Sequence, residues 1–192
     1  MTPIQPDPLN LLDKFTGLDV PELSVLDLGA GLYDSPLSKQ MLELPFRKLT
    51  AVEIYFPALR HLRTNLVPNN PQLEVIEGDI RYVLSSIPDN SYDVVTMLDS
   101  IEHFRRPDAR VILMNIMAIA RQRVLIWLPL GYCPQGDLQG NIFQRHLSTW
   151  SGKEFREMGF DVRIYREFHQ HFTPPVDAAW AIWDKESKDE AS

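Results

Sequence analysis

Read for hydrophobic periodicity, the chain alternates short apolar runs with helical patterns. Leu23 to Leu28 has the make-up of a buried strand. Ser35-Pro36 then supplies an N-cap followed by proline at the first helical position, and Leu37, Met41 and Leu44 recur at helical spacing until Pro45 stops the run. Lys48 to Ile54, Gln72 to Ile76, Tyr92 to Leu98 and Arg123 to Leu128 read as strands two to five. Helical patterns separate them: Leu59, Leu62 and Leu66 after Pro57, then Tyr82 to Ile87, then Pro107 to Arg121. Such repetition builds a parallel sheet through right-handed crossovers. The last part of the pattern differs. A helix over Ser151 to Met158 ends at Gly159, Phe160 to Phe168 alternates in polarity, and a loop with Pro174-Pro175 leads straight to Ala178–Trp183. Two strands with no helix between them pair antiparallel. The expected fold is α/β: a seven-stranded sheet, mostly parallel with an antiparallel last strand, and helices on both faces.

Composition narrows the class. The 192 residues are 44% hydrophobic and 23% charged, the profile of one globular domain. No apolar run approaches the roughly 20 residues that span a bilayer. Residues 1–10 hold three prolines and no basic residue, unlike a secretory leader. A cytoplasmic chain is expected, with flexible ends at 1–10 and 184–192. A net charge of −7 gains nothing from the phosphate attraction that dominates nucleic-acid affinity. A small-molecule partner is therefore expected, rather than nucleic acid or a membrane, with the oligomeric state left open. The single cysteine, Cys133, excludes an internal disulfide and a cysteine-built zinc site, and reads as a packed thiol.

The chemistry gathers at the strand ends. Val25-Leu26-Asp27-Leu28-Gly29-Ala30-Gly31 is an apolar strand, an acid, and two glycines one residue apart. Glycine permits a sharp turn and close approach of a ligand, and the helix starting near Ser35 faces the same crevice. Glu53, followed by Ile54, stands 22 residues beyond Gly31 at the end of strand two, where a carboxylate accepts from both hydroxyls of an adenine-linked ribose. Asp79 and Ile80 follow strand three, within reach of an adenine amino group. A dinucleotide fingerprint would need a small third residue, but Asp34 occupies that place. An anion there repels a pyrophosphate, while Asp27 suits a ligand carrying an ammonium and a sulfonium.

Residues 25–31, 53, 78–80 and 92–104 together resemble motifs I to IV of the class I S-adenosylmethionine-dependent methyltransferases. Leu98-Asp99-Ser100-Ile101-Glu102-His103-Phe104 is similar to the D-V-x-E-H-x segment of their small-molecule, type 11/23-like branch. His146-Leu147-Ser148-Thr149-Trp150, Glu154-Phe155 and Gly159-Phe160 are similar to that branch's segment after strand five. The resemblance spans about residues 20–183. It implies a Rossmann-like fold and S-adenosyl-L-methionine as methyl donor. It places Asp27, Gly29 and Gly31 at the methionine part, Glu53 with Ile54 at the ribose, and Asp79 and Ile80 beside adenine. Asp99 and Ser100 fall beside the methionine and the transferring methyl. One departure stands out: the family's third glycine is replaced by Tyr33, whose ring is expected to close over the ligand or narrow the acceptor pocket.

Methyl transfer from a sulfonium is an in-line displacement, so positioning is the protein's main work. A base is needed only if the acceptor must lose a proton. His103, after strand four, is the first candidate base. His146, in the long segment Pro129 to Trp150, is a candidate for acceptor contact. His169 and His171 share a strand face but have no acid beside them, so no metal is expected. Their loop, His169 to Val176, is expected to wall the acceptor pocket. Tyr33, Tyr132 and Trp150 are candidates for an aromatic wall, Trp127, Trp180 and Trp183 for core, and Arg105-Arg106 for a solvated surface pair. Two other functions fit the same fold: a non-catalytic binding module obstructed by Tyr33, and an NAD-dependent oxidoreductase, which Asp27 and Asp34 disfavour.

Overall fold

The computed structural model of the chain describes residues 7–185. Seven strands form one sheet in the order β3-β2-β1-β4-β5-β7-β6. They are β1 (Ser24–Leu28), β2 (Lys48–Glu53), β3 (Leu73–Glu77), β4 (Tyr92–Leu98), β5 (Ala120–Leu130), β6 (Asp161–His169) and β7 (Val176–Asp184). The pairs β1–β2, β2–β3, β1–β4 and β4–β5 are parallel, while β7 runs antiparallel to both β5 and β6. The expected sheet, with its last strand reversed, is the one found; β5 is longer at both ends than the apolar run alone indicated. β7 lies between β5 and β6, so β6 forms the sheet edge.

Among the described residues five α-helices cover the faces: α1 (Pro36–Glu43), α2 (Phe56–His61), α3 (Ile80–Val83), α4 (Arg106–Ile119) and α5 (Gly152–Glu157). Ser35 caps α1 through its side chain, with Ser38 completing a reciprocal box and Pro36 in the first turn. Ser151 and Glu154 make the same box at α5. The helix expected after Pro57 is shorter than its periodicity: α2 gives way to a π turn at Leu62–Leu66.

Strand alternation sends neighbouring side chains to opposite layers. Leu26 and Leu28 pack with Ile112, Leu113 and Ile116 of α4 and Phe155 of α5. Val25 packs with Leu37 and Met41 of α1, Leu62, Trp127 and Trp180. Trp127 and Trp180 are core, as expected, and Trp183 is half-buried. Of the expected flexible ends, residues 1–6 and 186–192 lie outside the described residues. The remainder is tied down: Trp180 Nε1 donates to Pro8 O at 2.7 Å, Gln40 Nε2 to Leu9 O at 2.7 Å, and Asp184 pairs with Arg123 at 2.5 Å. No helix among the described residues is long and apolar enough to cross a membrane.

Candidate functional site

β1 is the strand on either side of which the chain order reverses, and in open α/β sheets ligands bind outside the carboxyl ends at such a point. A crevice of about 330 Å³ lies there. Gly29, Glu53, Ile54, Asp79, Ile80, Asp99, Ser100 and His103 all line it, from loops after β1, β2, β3 and β4. Its outer rim is Asn141 to Arg145 and Leu147, within the long segment after β5. These eight predicted residues are brought together; Asp27, Gly31 and His146 are not on the crevice wall.

Gly29 turns the chain at φ +79°. Its N–H donates to Val52 O at 2.9 Å, locking the turn onto β2. A Cβ here would meet Ser100 Oγ at 2.3 Å, so the loops after β1 and β4 touch through this glycine. Glu53 holds the next part of the loop: one carboxylate oxygen accepts from Gly31 N at 2.7 Å, the other from Ile54 N at 2.8 Å and Tyr55 N at 2.7 Å. Asp79 caps α3, accepting from Arg81 N at 2.9 Å. It also pairs with the Arg81 guanidinium, whose hydrogen bonds hold the Asp79 carboxyl below its ordinary range. This pair was not anticipated from the sequence, although the i to i+2 spacing after a strand is a recognisable capping arrangement.

Asp27 and Tyr33 depart from expectation together. Asp27 lies on the strand face turned toward α1 and is 2% exposed. Thr96 Oγ1 donates to one of its oxygens at 2.5 Å and Tyr33 Oη to the other at 2.8 Å. Burial pushes its carboxyl up to about 6, against those two hydrogen bonds. Tyr33 does not close over the crevice. At φ +52° its backbone turns the ring inward, where it is buried in the layer containing Leu37 and Met41. Asp27 therefore shapes the loop from behind through Tyr33 and Thr96, and touches no open surface of the crevice.

Asp99 also has positive φ, +47°, and its N–H is held by Trp127 O at 2.9 Å. Such backbone strain in a non-glycine residue is typical of functional sites. It is open to the crevice but crowded by protein elsewhere, and that desolvation pushes its carboxyl upward. Behind it, Glu102 is buried, and burial followed by the nearby Asp99 drives its carboxyl well above the carboxylate range. His103 is half-buried; desolvation lowers its imidazole to about 4, so it is neutral at physiological pH. His146 stands beside it, ring centroids 5.1 Å apart, on a neighbouring shallower depression.

Other expected walls are elsewhere. The loop His169 to Val176 does not line the crevice, because β6 is the sheet edge, with β7 and β5 between it and β4. Trp150 is a core residue, 2% exposed, and Tyr132 is exposed outside the crevice. Arg106 is no solvated partner of Arg105: its guanidinium lies 4.0 Å over the Trp150 ring and pairs with Glu154. Arg105 itself is at the crevice. Cys133 is a buried free thiol, with burial pushing it up to about 11, as a packed cysteine should be.

A family model described as a methyltransferase domain matches residues 25–123. No curated protein matches the chain by sequence. Among solved structures, the fold is similar to a candidate methyltransferase from Bacillus halodurans C-125 (14% identity, TM-score 0.68, covering 94% of this chain and 99% of that one). It is also similar to TehB from Haemophilus influenzae (16% identity, TM-score 0.68, 97% and 64%). A SAM-dependent methyltransferase from Aquifex aeolicus is a third (16% identity, TM-score 0.58, 92% and 89%).

Proposed function

The chain belongs to the methyltransferase-domain family of class I S-adenosylmethionine-dependent enzymes, and we propose that it methylates a small-molecule acceptor held in the crevice at the carboxyl edge of the sheet. The observation that carries this reading is the donor set of the crevice. Glu53, Asp79, Asp99 and Asp108 bring carboxylates to its wall, and Arg81 is already paired with Asp79 and Asp108. Arg145 on the rim is likewise paired, with Asp137, and Arg105 is the one lining guanidinium with no acid partner among the described residues, so the lining suits a cationic ligand with a ribose diol and an exocyclic amine better than a pyrophosphate. S-adenosylmethionine supplies an electrophilic methyl group on a sulfonium. The chain's own work is to hold and aim.

Glu53 is the ribose acceptor in this reading, Asp79 with Ile80 the adenine edge, and Asp99 with Ser100 the methionine end. Ser100 packs closely against Gly29, so the methionine end abuts the glycine loop. The rim of Asn141 to Arg145 and Leu147 covers the acceptor side and includes Ile142 and Phe143, exposed apolar side chains suited to an apolar portion of an acceptor. His103 faces this side as a neutral imidazole. Tyr33, turned inward, leaves the crevice open, which favours an active enzyme over a non-catalytic module.

Glu53→Ala is expected to weaken S-adenosylhomocysteine binding by about 1–3 kcal/mol, roughly 5- to 150-fold, because ribose hydroxyls lose their acceptor and Gly31, Ile54 and Tyr55 lose theirs. Calorimetric titration of parent and variant measures it. Equal affinities would remove Glu53 from the cofactor site.

A further inference from the structure

Two histidines and a glutamate converge where the crevice meets the shallower depression beside it. One ring nitrogen each of His103 and His146 and one carboxylate oxygen of Glu102 lie within 4.8 Å of one another. Each histidine Nδ1 faces a backbone carbonyl, Arg145 O at 3.2 Å for His103 and Cys133 O at 2.5 Å for His146. A carbonyl oxygen only accepts, so in the neutral rings Nδ1 carries the hydrogen and Nε2 is the nitrogen with the lone pair. This outer hydrogen bond is what fixes the tautomer of a metal-bound histidine. A second observation is independent of the first. Glu102 is 2% exposed, and its Oε2 is buried without a donor among the described residues. Burying a carboxylate oxygen unpaired is costly. One ring nitrogen of each histidine stands within 4.8 Å of a Glu102 carboxyl oxygen, and a cation seated among the three would give that buried side chain the partner it lacks, with Glu102 binding as the carboxylate.

We propose that Glu102, His103 and His146 bind a divalent transition-metal cation. Two imidazole nitrogens and a carboxylate suit Mn²⁺, Fe²⁺, Co²⁺ or Zn²⁺ better than an all-oxygen cage for Mg²⁺ or Ca²⁺. Three protein ligands leave coordination positions open, as in catalytic rather than structural sites. Bonds of about 2.1 Å bring ligand atoms to roughly 3–3.5 Å from one another, so the group closes modestly on the ion. The scaffold is already in place: Leu147 N and Ser148 N donate to Glu102 O at 2.8 and 3.1 Å, and His146 N to Gln135 O at 3.0 Å. His103 reaches the crevice, so an open position there suits an oxygen of the acceptor; that role rests on the methyl-transfer reading, whereas binding of the cation does not. The sequence pointed away from a metal because it offered His169 and His171, alternate residues read as sharing a strand face with no acid beside them; β6 in fact ends at His169, so His171 lies beyond the strand. The actual group comes from two separate loops. His169 and His171 have no acid completing such a group among the described residues.

The test is titration of the metal-free full chain with Mn²⁺, followed by loss of the free ion's electron paramagnetic resonance signal, and with Co²⁺, followed by its visible absorption. One saturable ion per chain is expected, with affinity falling at least about 10-fold in Glu102→Gln and in His146→Asn. Glu102→Gln keeps the shape of the buried side chain, and His146→Asn changes the more accessible loop; circular dichroism confirms that each is folded. S-adenosylhomocysteine binding is measured on the same samples. A parent that binds neither ion at millimolar concentration, or folded variants that bind as the parent does, overturns the metal site. If the homocysteine ligand still binds in that case, the methyltransferase reading stands without the metal. Ion binding without binding of that ligand would uphold the metal site and overturn the cofactor reading.

Discussion

Gly29→Ala is expected to destabilise the chain by about 2–4 kcal/mol and to remove S-adenosylhomocysteine binding in the material that still folds. Two costs add at this position. The backbone stands at φ +79°, where a side chain is strained, and the new Cβ meets Ser100 Oγ at 2.3 Å and Ser100 Cβ at 3.1 Å. Ser100 has little room to withdraw, since it is 4% exposed and enters the turn Ile101–His103. The loops after β1 and β4 would separate, and the methionine end of the crevice would lose its floor. Gly31→Ala separates the two costs: its φ is +60°, but a Cβ there meets nothing within 4 Å. Only strain, about 1–2 kcal/mol, is expected at Gly31. Urea denaturation of both variants reads the difference. Equal losses at the two glycines would mean that contact with Ser100 contributes nothing.

Asp27→Asn is expected to change how stability depends on pH. In the native chain Asp27 is buried and holds its proton up to about pH 6, whereas the ordinary value for the unfolded chain is 3.8. The native state therefore binds the proton more tightly. The resulting stabilisation is present in full below about pH 4 and is lost as pH rises through 6. A shift of about two units corresponds to roughly 3 kcal/mol. Asparagine carries no charge at any pH, and its amide still accepts from Thr96 while donating to Tyr33 Oη. Relative to the parent, the variant should gain about 2.5 kcal/mol between pH 4 and pH 7.5. Other titrating groups are common to both chains and cancel in this comparison. Denaturation curves at the two pH values suffice; a constant difference between the chains would show that Asp27 is not carrying a buried charge.

The parts of the fold and site that could be read along the chain are those decided locally. Alternating apolar runs and helix signals at Ser35-Pro36, Pro45 and Gly159 located the strands and most of the helices. The glycine loop, Glu53, Asp79 and Asp99 each follow a strand directly, so topology alone gathers them at one edge. What stayed hidden depends on layers meeting in space. Asp27 looks like a ligand-facing acid in sequence, yet alternation along β1 sends it toward α1, where Thr96 and Tyr33 satisfy it. Tyr33 looked like an obstruction because its left-handed backbone, which turns the ring inward, has no sequence mark in a tyrosine. The insertion of β7 between β5 and β6 removed the His169 to Val176 loop from the crevice, and no local signal sets that order. Arg106 read as solvated because Trp150 and Glu154, which hold it, lie far along the chain. His103 and His146 meet only when the segment after β5 folds back onto Glu102.

The most direct measurement of the central claim is calorimetric titration of the purified chain with S-adenosylmethionine and, in parallel, with NAD. Saturable binding of one S-adenosylmethionine per chain is expected, with no binding of NAD. Saturable binding of NAD alone would contradict the claim, as would a folded chain that binds neither.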